Sequence, residues 1–128
     1  MRPRLLVLDD EETIRQILSV FFEGKGYDVT ATGVAAEAMS LAELENFDLG
    51  IFDINLAGES GLDLLLYFKS NFPALPIIIY TGMEDEDSLD QATFRGANGF
   101  LRKTEPLDNL FEAVKSYVRK SEQGSGRP

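Results

Sequence analysis

Four short stretches place chemically capable side chains directly behind apolar runs. Asp9 and Asp10, followed by Glu11 and Glu12, come straight after Leu5-Leu6-Val7-Leu8. Asp53, Ile54 and Asn55 follow Leu49-Gly50-Ile51-Phe52. Thr81 and Gly82 follow Ile77-Ile78-Ile79-Tyr80, and Lys103 lies close behind Gly99-Phe100-Leu101. Hard carboxylate oxygens suit Mg2+, which keeps several waters and rarely takes an all-protein cage. A carboxylate can also act as a nucleophile and form an aspartyl phosphate. Phosphoryl transfer needs mainly positioning and neutralised charge. A divalent cation and a lysine supply the charge, and a threonine hydroxyl can hydrogen-bond a phosphoryl oxygen.

Whether these groups meet depends on the elements that carry them. The apolar runs read as strands buried on both faces. Between them lie amphipathic stretches. Residues 11 to 23 place Ile14, Ile17, Leu18, Phe21 and Phe22 on one face of a helix that Gly24 and Gly26 end. Val29 to Ala31 reads as a strand, Ala35 to Leu44 as a helix and Leu62 to Phe72 as another, punctuated by Pro73 and Pro76. A less regular helix is expected around residues 87 to 95, ending at Gly96. The last, over residues 106 to 119, aligns Leu107, Leu110, Phe111, Val114, Tyr117 and Val118, with Pro106 in its first turn. Five βα units in alternation imply a parallel sheet with helices on both faces, and right-handed crossovers restrict its topology. Ligands bind such sheets outside the carboxyl ends of the strands, where all four stretches fall.

Singly, each group has an ordinary structural use. Acids at 9 to 12 favour the positive end of a helix, Asp53 suits a turn, Thr81 a helix cap and Lys103 a solvated surface. Their convergence on one rim is what argues for chemistry.

Composition removes several alternatives. The 128 residues fit one domain with one core. There are no cysteines and no histidines, so disulfides, thiolate or imidazole metal sites and histidine-based catalysis are excluded. The formal net charge of -10 opposes nucleic-acid binding by this domain. No apolar run approaches the roughly 20 residues that span a bilayer, and the N-terminal run is too short for a signal sequence. A cytoplasmic location without membrane contact is therefore expected. The polar, glycine-rich stretch 121–128 reads as a flexible tail or linker behind a domain over residues 1–120.

The residues Leu-Val-Leu-Asp-Asp-Glu-Glu at 6 to 12, Phe-Asp-Ile-Asn-Leu at 52 to 56, Tyr-Thr-Gly at 80 to 82 and Gly-Phe-Leu-Arg-Lys at 99 to 103 resemble those of response-regulator receiver domains, across residues 4 to about 120. Each piece is weak alone; in this order, on these strands, they are specific. The resemblance implies an α/β, doubly wound (βα)5, flavodoxin-like three-layer sandwich, its five parallel strands in the order 2-1-3-4-5. It implies that Asp53 is the phosphoacceptor, that Asp10 binds Mg2+ directly and Asp9 through water, and that the Asn55 backbone carbonyl completes the metal site. It makes Thr81 the switch hydroxyl, Lys103 the phosphate-binding lysine, Phe100 the switch aromatic and Gly82 the small residue that leaves room for the phosphoryl group. The implied partner is a sensor histidine kinase or histidine phosphotransfer protein. A homodimer or an effector is expected on the face of the fourth helix, fifth strand and fifth helix. Such a domain catalyses only its own phosphorylation and dephosphorylation.

Two positions depart from the family pattern. Ala57 stands where receivers usually carry proline, and Thr104 stands where proline often follows the lysine. Both bear on loop geometry and kinetics without removing a chemical group. A cis bond before a non-proline residue costs about 3–4 kcal/mol, so Lys103–Thr104 is expected to be trans. Two other readings compete: a degenerate receiver that binds proteins without phosphorylation, and an α/β phosphohydrolase with an aspartyl nucleophile. The intact acid pair, Asp53, Thr81 and Lys103 oppose the first. Against the second, Asn55 stands where a second aspartate is generally needed, and the chain leaves little room for a substrate cap.

Overall fold

A computed structural model of the chain describes the backbone of residues 2–56, 59–82, 90, 92 and 95–125, and the side chains of these except 59, 60 and 119–125. Five parallel strands form one sheet: β1 (Arg4–Leu8), β2 (Asp28–Thr32), β3 (Leu49–Phe52), β6 (Ile77–Thr81) and β7 (Gly99–Arg102). They lie in the order β2-β1-β3-β6-β7, which is 2-1-3-4-5 when these five are counted along the chain. Among the described residues, the helices with defined bounds are α1 (Glu12–Glu23), α2 (Ala35–Leu44), α3 (Gly61–Asn71) and α4 (Leu107–Ser125).

Strand alternation sorts the apolar side chains into two cores, one on each face of the sheet. Leu5 and Val7 join Leu18 and Phe22 of α1, Leu49, Ile51, Ile78 and Tyr80, and Leu110, Val114 and Val118 of α4. Leu6 and Leu8 turn the other way, toward Ala35, Ala38 and Ala42 of α2, Leu64, Leu65 and Phe68 of α3, Phe52, Ile77 and Ile79. The unbroken apolar runs thus exist because both faces are covered. Each such side chain taken from water stabilises the fold by about 1.5–3 kcal/mol. On the first face, Phe22 and Tyr27 meet Phe111 of α4 edge to face. The Lys25 ammonium lies over the Phe21 and Phe111 rings.

The helical periodicity holds with departures: Leu44 at the end of α2 is exposed. Ile17, aligned with the inward face of α1 in the sequence, is 42% exposed, while Leu18 and Phe22 are buried. Gly24 caps α1, and Gly26 supplies the left-handed turn (φ 95°) that returns the chain to β2. In the segment expected as the fourth helix, Asp90 and Ala92 are helical; the rest of 87–95 apart from Arg95 lies outside the described residues. Gly96 (φ 101°) follows, and the Ala97 N–H bonds the Ala92 carbonyl. The helix α4 continues to Ser125, past the point near residue 120 where the sequence reading placed a tail.

One element was not foreseen. Asn55–Leu56 (β4) and Glu59–Ser60 (β5) pair antiparallel between β3 and α3. Gly61 closes this excursion: a Cβ there would lie 2.3 Å from the Ile54 Cα, so only glycine allows α3 to start against the backbone beside Asp53. Among the described residues, no helix is long and apolar enough to cross a membrane.

Candidate functional site

The strand order reverses between β1 and β3, so their following loops diverge and leave a crevice. Asp9 and Asp53 occupy it through the sheet's own hydrogen bonding. The Asp9 N–H donates to the Thr32 carbonyl (3.1 Å) and the Asp53 N–H to the Leu8 carbonyl (2.9 Å). Both residues are thus still in ladder register one step beyond their strands, and both are nearly inaccessible to solvent. The loop after β7 is tied in the same way, since the Lys103 N–H donates to the Thr81 carbonyl at 2.8 Å. Residues expected at four separate strand ends therefore share one rim.

Carboxylate oxygens of Asp9, Asp10 and Asp53 all lie within 4.8 Å of one another, Asp10 being the exposed member. Buried acids this close need compensation, and the fold supplies it from two sources. Backbone N–H groups hold one oxygen of each buried acid: Glu11 donates to Asp9 Oδ1 and Asn55 to Asp53 Oδ1, each at 2.9 Å. The Lys103 ammonium takes the other oxygens, at 2.9 Å from Asp9 Oδ2 and 2.8 Å from Asp53 Oδ2, and also reaches Glu11 Oε2 at 2.6 Å.

The electrostatics follow from this crowding. Burial pushes the Asp9 carboxyl above its usual range, only partly opposed by Lys103 and the Glu11 N–H, and the nearby Asp53 charge pushes it further. Burial alone would lower the Lys103 ammonium, but its bonds to Asp53, Glu11 and Asp9 outweigh that and carry it well above an ordinary lysine. Its three carboxylate partners therefore favour the charged form of Lys103.

Arg15, one turn into α1, donates to the Asp9 carbonyl at 2.8 Å. It passes so close to Gly33 that a Cβ there would lie 2.6 Å from the guanidinium nitrogen Nη1. The turn carrying the acid pair is thus braced from the β2–α2 connection.

Other expected residues are placed as follows. Thr81 is fully buried at the end of β6, Gly82 is exposed behind it, and Phe100 on β7 is half-buried against the core facing α2 and α3. Asn55 is drawn into the site by its N–H. Ala57 lies outside the described residues. No described peptide bond is cis, so Lys103–Thr104 is trans, in line with its energetics. Two further participants join them: Glu11, which the sequence places among the strand-end acids without a specific role, and Arg15, to which it gives none. The signal for Glu11 was its position two residues past Asp9, but only the fold brings Lys103 across to it.

An all-oxygen set of three clustered carboxylates, with a cation already seated against two of them, fits a hard divalent ion such as Mg2+.

The profile of the response regulator receiver domain matches residues 5–115. Response regulator protein PilR of Pseudomonas aeruginosa is 34% identical over 118 residues, covering 92% of this chain and 26% of PilR. The CAI-1 autoinducer sensor kinase/phosphatase CqsS of Vibrio cholerae is 30% identical over 118 residues, covering 90% of this chain and 17% of CqsS. The chain thus spans well under two thirds of these relatives. The crystal structure of a CheY-like response regulator receiver domain protein from Methanospirillum hungatei superposes with a TM-score of 0.91 at 27% identity, covering 97% of this chain and 99% of that one. The profile runs from the first strand into the last helix and the likeness extends to nearly every residue of a solved receiver: the chain belongs to the response regulator receiver domains of two-component signalling.

Proposed function

We propose that the domain accepts a phosphoryl group on Asp53 in the presence of Mg2+ and changes shape through Thr81 and Phe100 to control an output. The observation that carries this reading is the Lys103 ammonium 2.8 Å from the Asp53 carboxylate, beside two further acids at the sheet's switch point. Asp9, Asp10, Asp53 and the Asn55 carbonyl are the residues that would hold the ion. Bound there, Mg2+ supplies positive charge that offsets the anionic donor and acceptor.

The chain's own groups do the rest. An Asp53 carboxylate oxygen attacks the phosphorus of a phosphohistidine on a sensor kinase or phosphotransfer protein. The P–O bond forms as the P–N bond breaks, and the imidazole nitrogen leaves with the electron pair and takes a proton. The Asn55 N–H steadies the other carboxylate oxygen, Lys103 neutralises developing charge, and Gly82 leaves space. The Thr81 hydroxyl then bonds a phosphoryl oxygen, and the Phe100 ring moves into the room it vacates. Phe100 has no hydroxyl to leave unpaired when buried. The face around β7 and α4 reports the change to an effector or a second copy. The domain works in the cytoplasm, turns over no external substrate beyond its phosphodonor, and with a net charge of -10 does not itself bind nucleic acid.

Incubation with acetyl phosphate and intact-mass measurement tests the proposal. A single phosphoryl adduct should form with Mg2+, fail without it, and be absent in Asp53→Asn. Equal labelling of that variant would show that the acceptor is another residue.

A further inference from the structure

We propose that Glu11 is a positioning residue, which occupies the Lys103 ammonium before phosphorylation and yields it when a phosphoryl group arrives; the inference rests on reading Asp53 as the acceptor. An ammonium has three N–H donors. In this structure three carboxylates claim them, Glu11 at 2.6 Å, Asp53 at 2.8 Å and Asp9 at 2.9 Å. A phosphoryl group on Asp53 replaces one negative charge with about two and adds strong acceptor oxygens beside the same ammonium. The Oδ2 contact passes to the phosphoryl group, whose several oxygens compete for the same three N–H donors, so the least constrained of the other partners gives way.

The two other partners are not equally free to go. The Asp9 side chain is 3% exposed and is pinned through its second oxygen by a backbone N–H. The Glu11 side chain is 59% exposed, so its carboxylate can turn into water at little cost. Its own N–H stays on Asp9, so the backbone need not move. Nor is the carboxylate explained by helix capping: Glu11 stands at the N-cap of α1 but makes no side-chain capping bond. Its partner is Lys103, 92 positions away. Glu11 also lies outside the three-carboxylate cluster that would hold the metal. It therefore acts on the lysine and not on the ion.

The experiment compares wild type, Glu11→Gln and Glu12→Gln in rate of phosphorylation by acetyl phosphate at saturating Mg2+, read by intact mass. Glu12→Gln removes the same charge one residue away, where the carboxylate accepts from Gln16 instead of Lys103. Glu11→Gln should raise the rate about two- to fivefold, the scale of a partly exposed ion pair, and the excess should shrink at high ionic strength. Its Mg2+ affinity, followed by tyrosine emission, should match wild type, and Glu12→Gln should keep the wild-type rate. A Glu11→Gln rate at or below wild type, or an equal rise in Glu12→Gln, overturns the inference while leaving Asp53 as acceptor. Failure of wild type to label at all removes the acceptor reading and this inference together.

Discussion

The Lys103 ammonium sits 2.8 Å from Asp53 Oδ2, although 50 positions separate the two in sequence. It stands among three carboxylates, where it serves as a resident counter-charge. Lys103→Ala should therefore destabilise the metal-free protein by about 3 kcal/mol at neutral pH, the lower end for a broken buried pair. Mg2+ should restore part of that loss by replacing the missing charge. Urea unfolding with and without Mg2+ measures both. A variant equally unstable in the two conditions would mean that the acids are not a cation site.

The raised pKa of Asp9 has a definite sign for stability. Burial disfavours its ionised form, so its contribution to folding is complete below the ordinary value of 3.8 and is lost as pH rises through the higher folded value. Asp9→Asn cannot titrate. Its urea midpoint should match wild type below pH 3.8 and exceed it by a margin that grows as pH rises through the folded value and is level above it. Mg2+ affinity should fall in the same variant, since a site acid has been given up for stability. A variant that loses ground to wild type with rising pH would reverse the assignment.

Gly61 tests how the loop behind Asp53 is held. Its α-carbon hydrogen faces the Ile54 backbone, where a Cβ would lie 2.3 Å from Cα and 2.6 Å from the carbonyl oxygen. Neither atom belongs to a flexible side chain. Gly61→Ala should cost about 1–3 kcal/mol, as overpacking does, and should slow phosphorylation because Asp53 and Asn55 flank the displaced residue. Gly82→Ala is the control for stability: among the described residues, a Cβ there meets nothing within 4 Å. Equal stability of Gly61→Ala and wild type would contradict the packing described.

The proposed switch separates acceptance from response. Thr81 is fully buried and Phe100 half-buried on adjacent strands, with Thr81 opposite Arg102 and Phe100 opposite Ile79. Thr81→Ala keeps every carboxylate and Lys103, so it should still label on Asp53. It should lose the shift of Phe100 that a beryllofluoride phosphoryl mimic produces in wild type. Ring resonances of Phe100 report this in solution. An identical Phe100 response in Thr81→Ala would remove the hydroxyl from the mechanism.

The sequence carried the frame well and the wiring poorly. Leu5 to Leu8 and Ile77 to Tyr80 are apolar without alternation because both sheet faces are buried, and that pattern identifies central parallel strands. The strand-end rule then located Asp9, Asp53, Thr81 and Lys103 on one rim. Local patterns could not show that Ile17 stays half-exposed, since periodicity describes a helix face and not what covers it. The β4–β5 hairpin was hidden for a different reason: two-residue strands have no period to detect. The Glu11–Lys103 pair was illegible because an acid at a helix start already has a sufficient local explanation, and its partner arrives only through topology.

The central claim is that Asp53 carries the phosphoryl group. An acyl phosphate is reduced by borohydride, whereas a carboxylate or a phosphate ester is not. Wild type treated with acetyl phosphate and Mg2+, then reduced and digested, should show homoserine at position 53 by peptide mass spectrometry, with Asp9 and Asp10 unmodified. Homoserine at position 9 or 10, or a stable adduct that borohydride leaves untouched, would contradict the account.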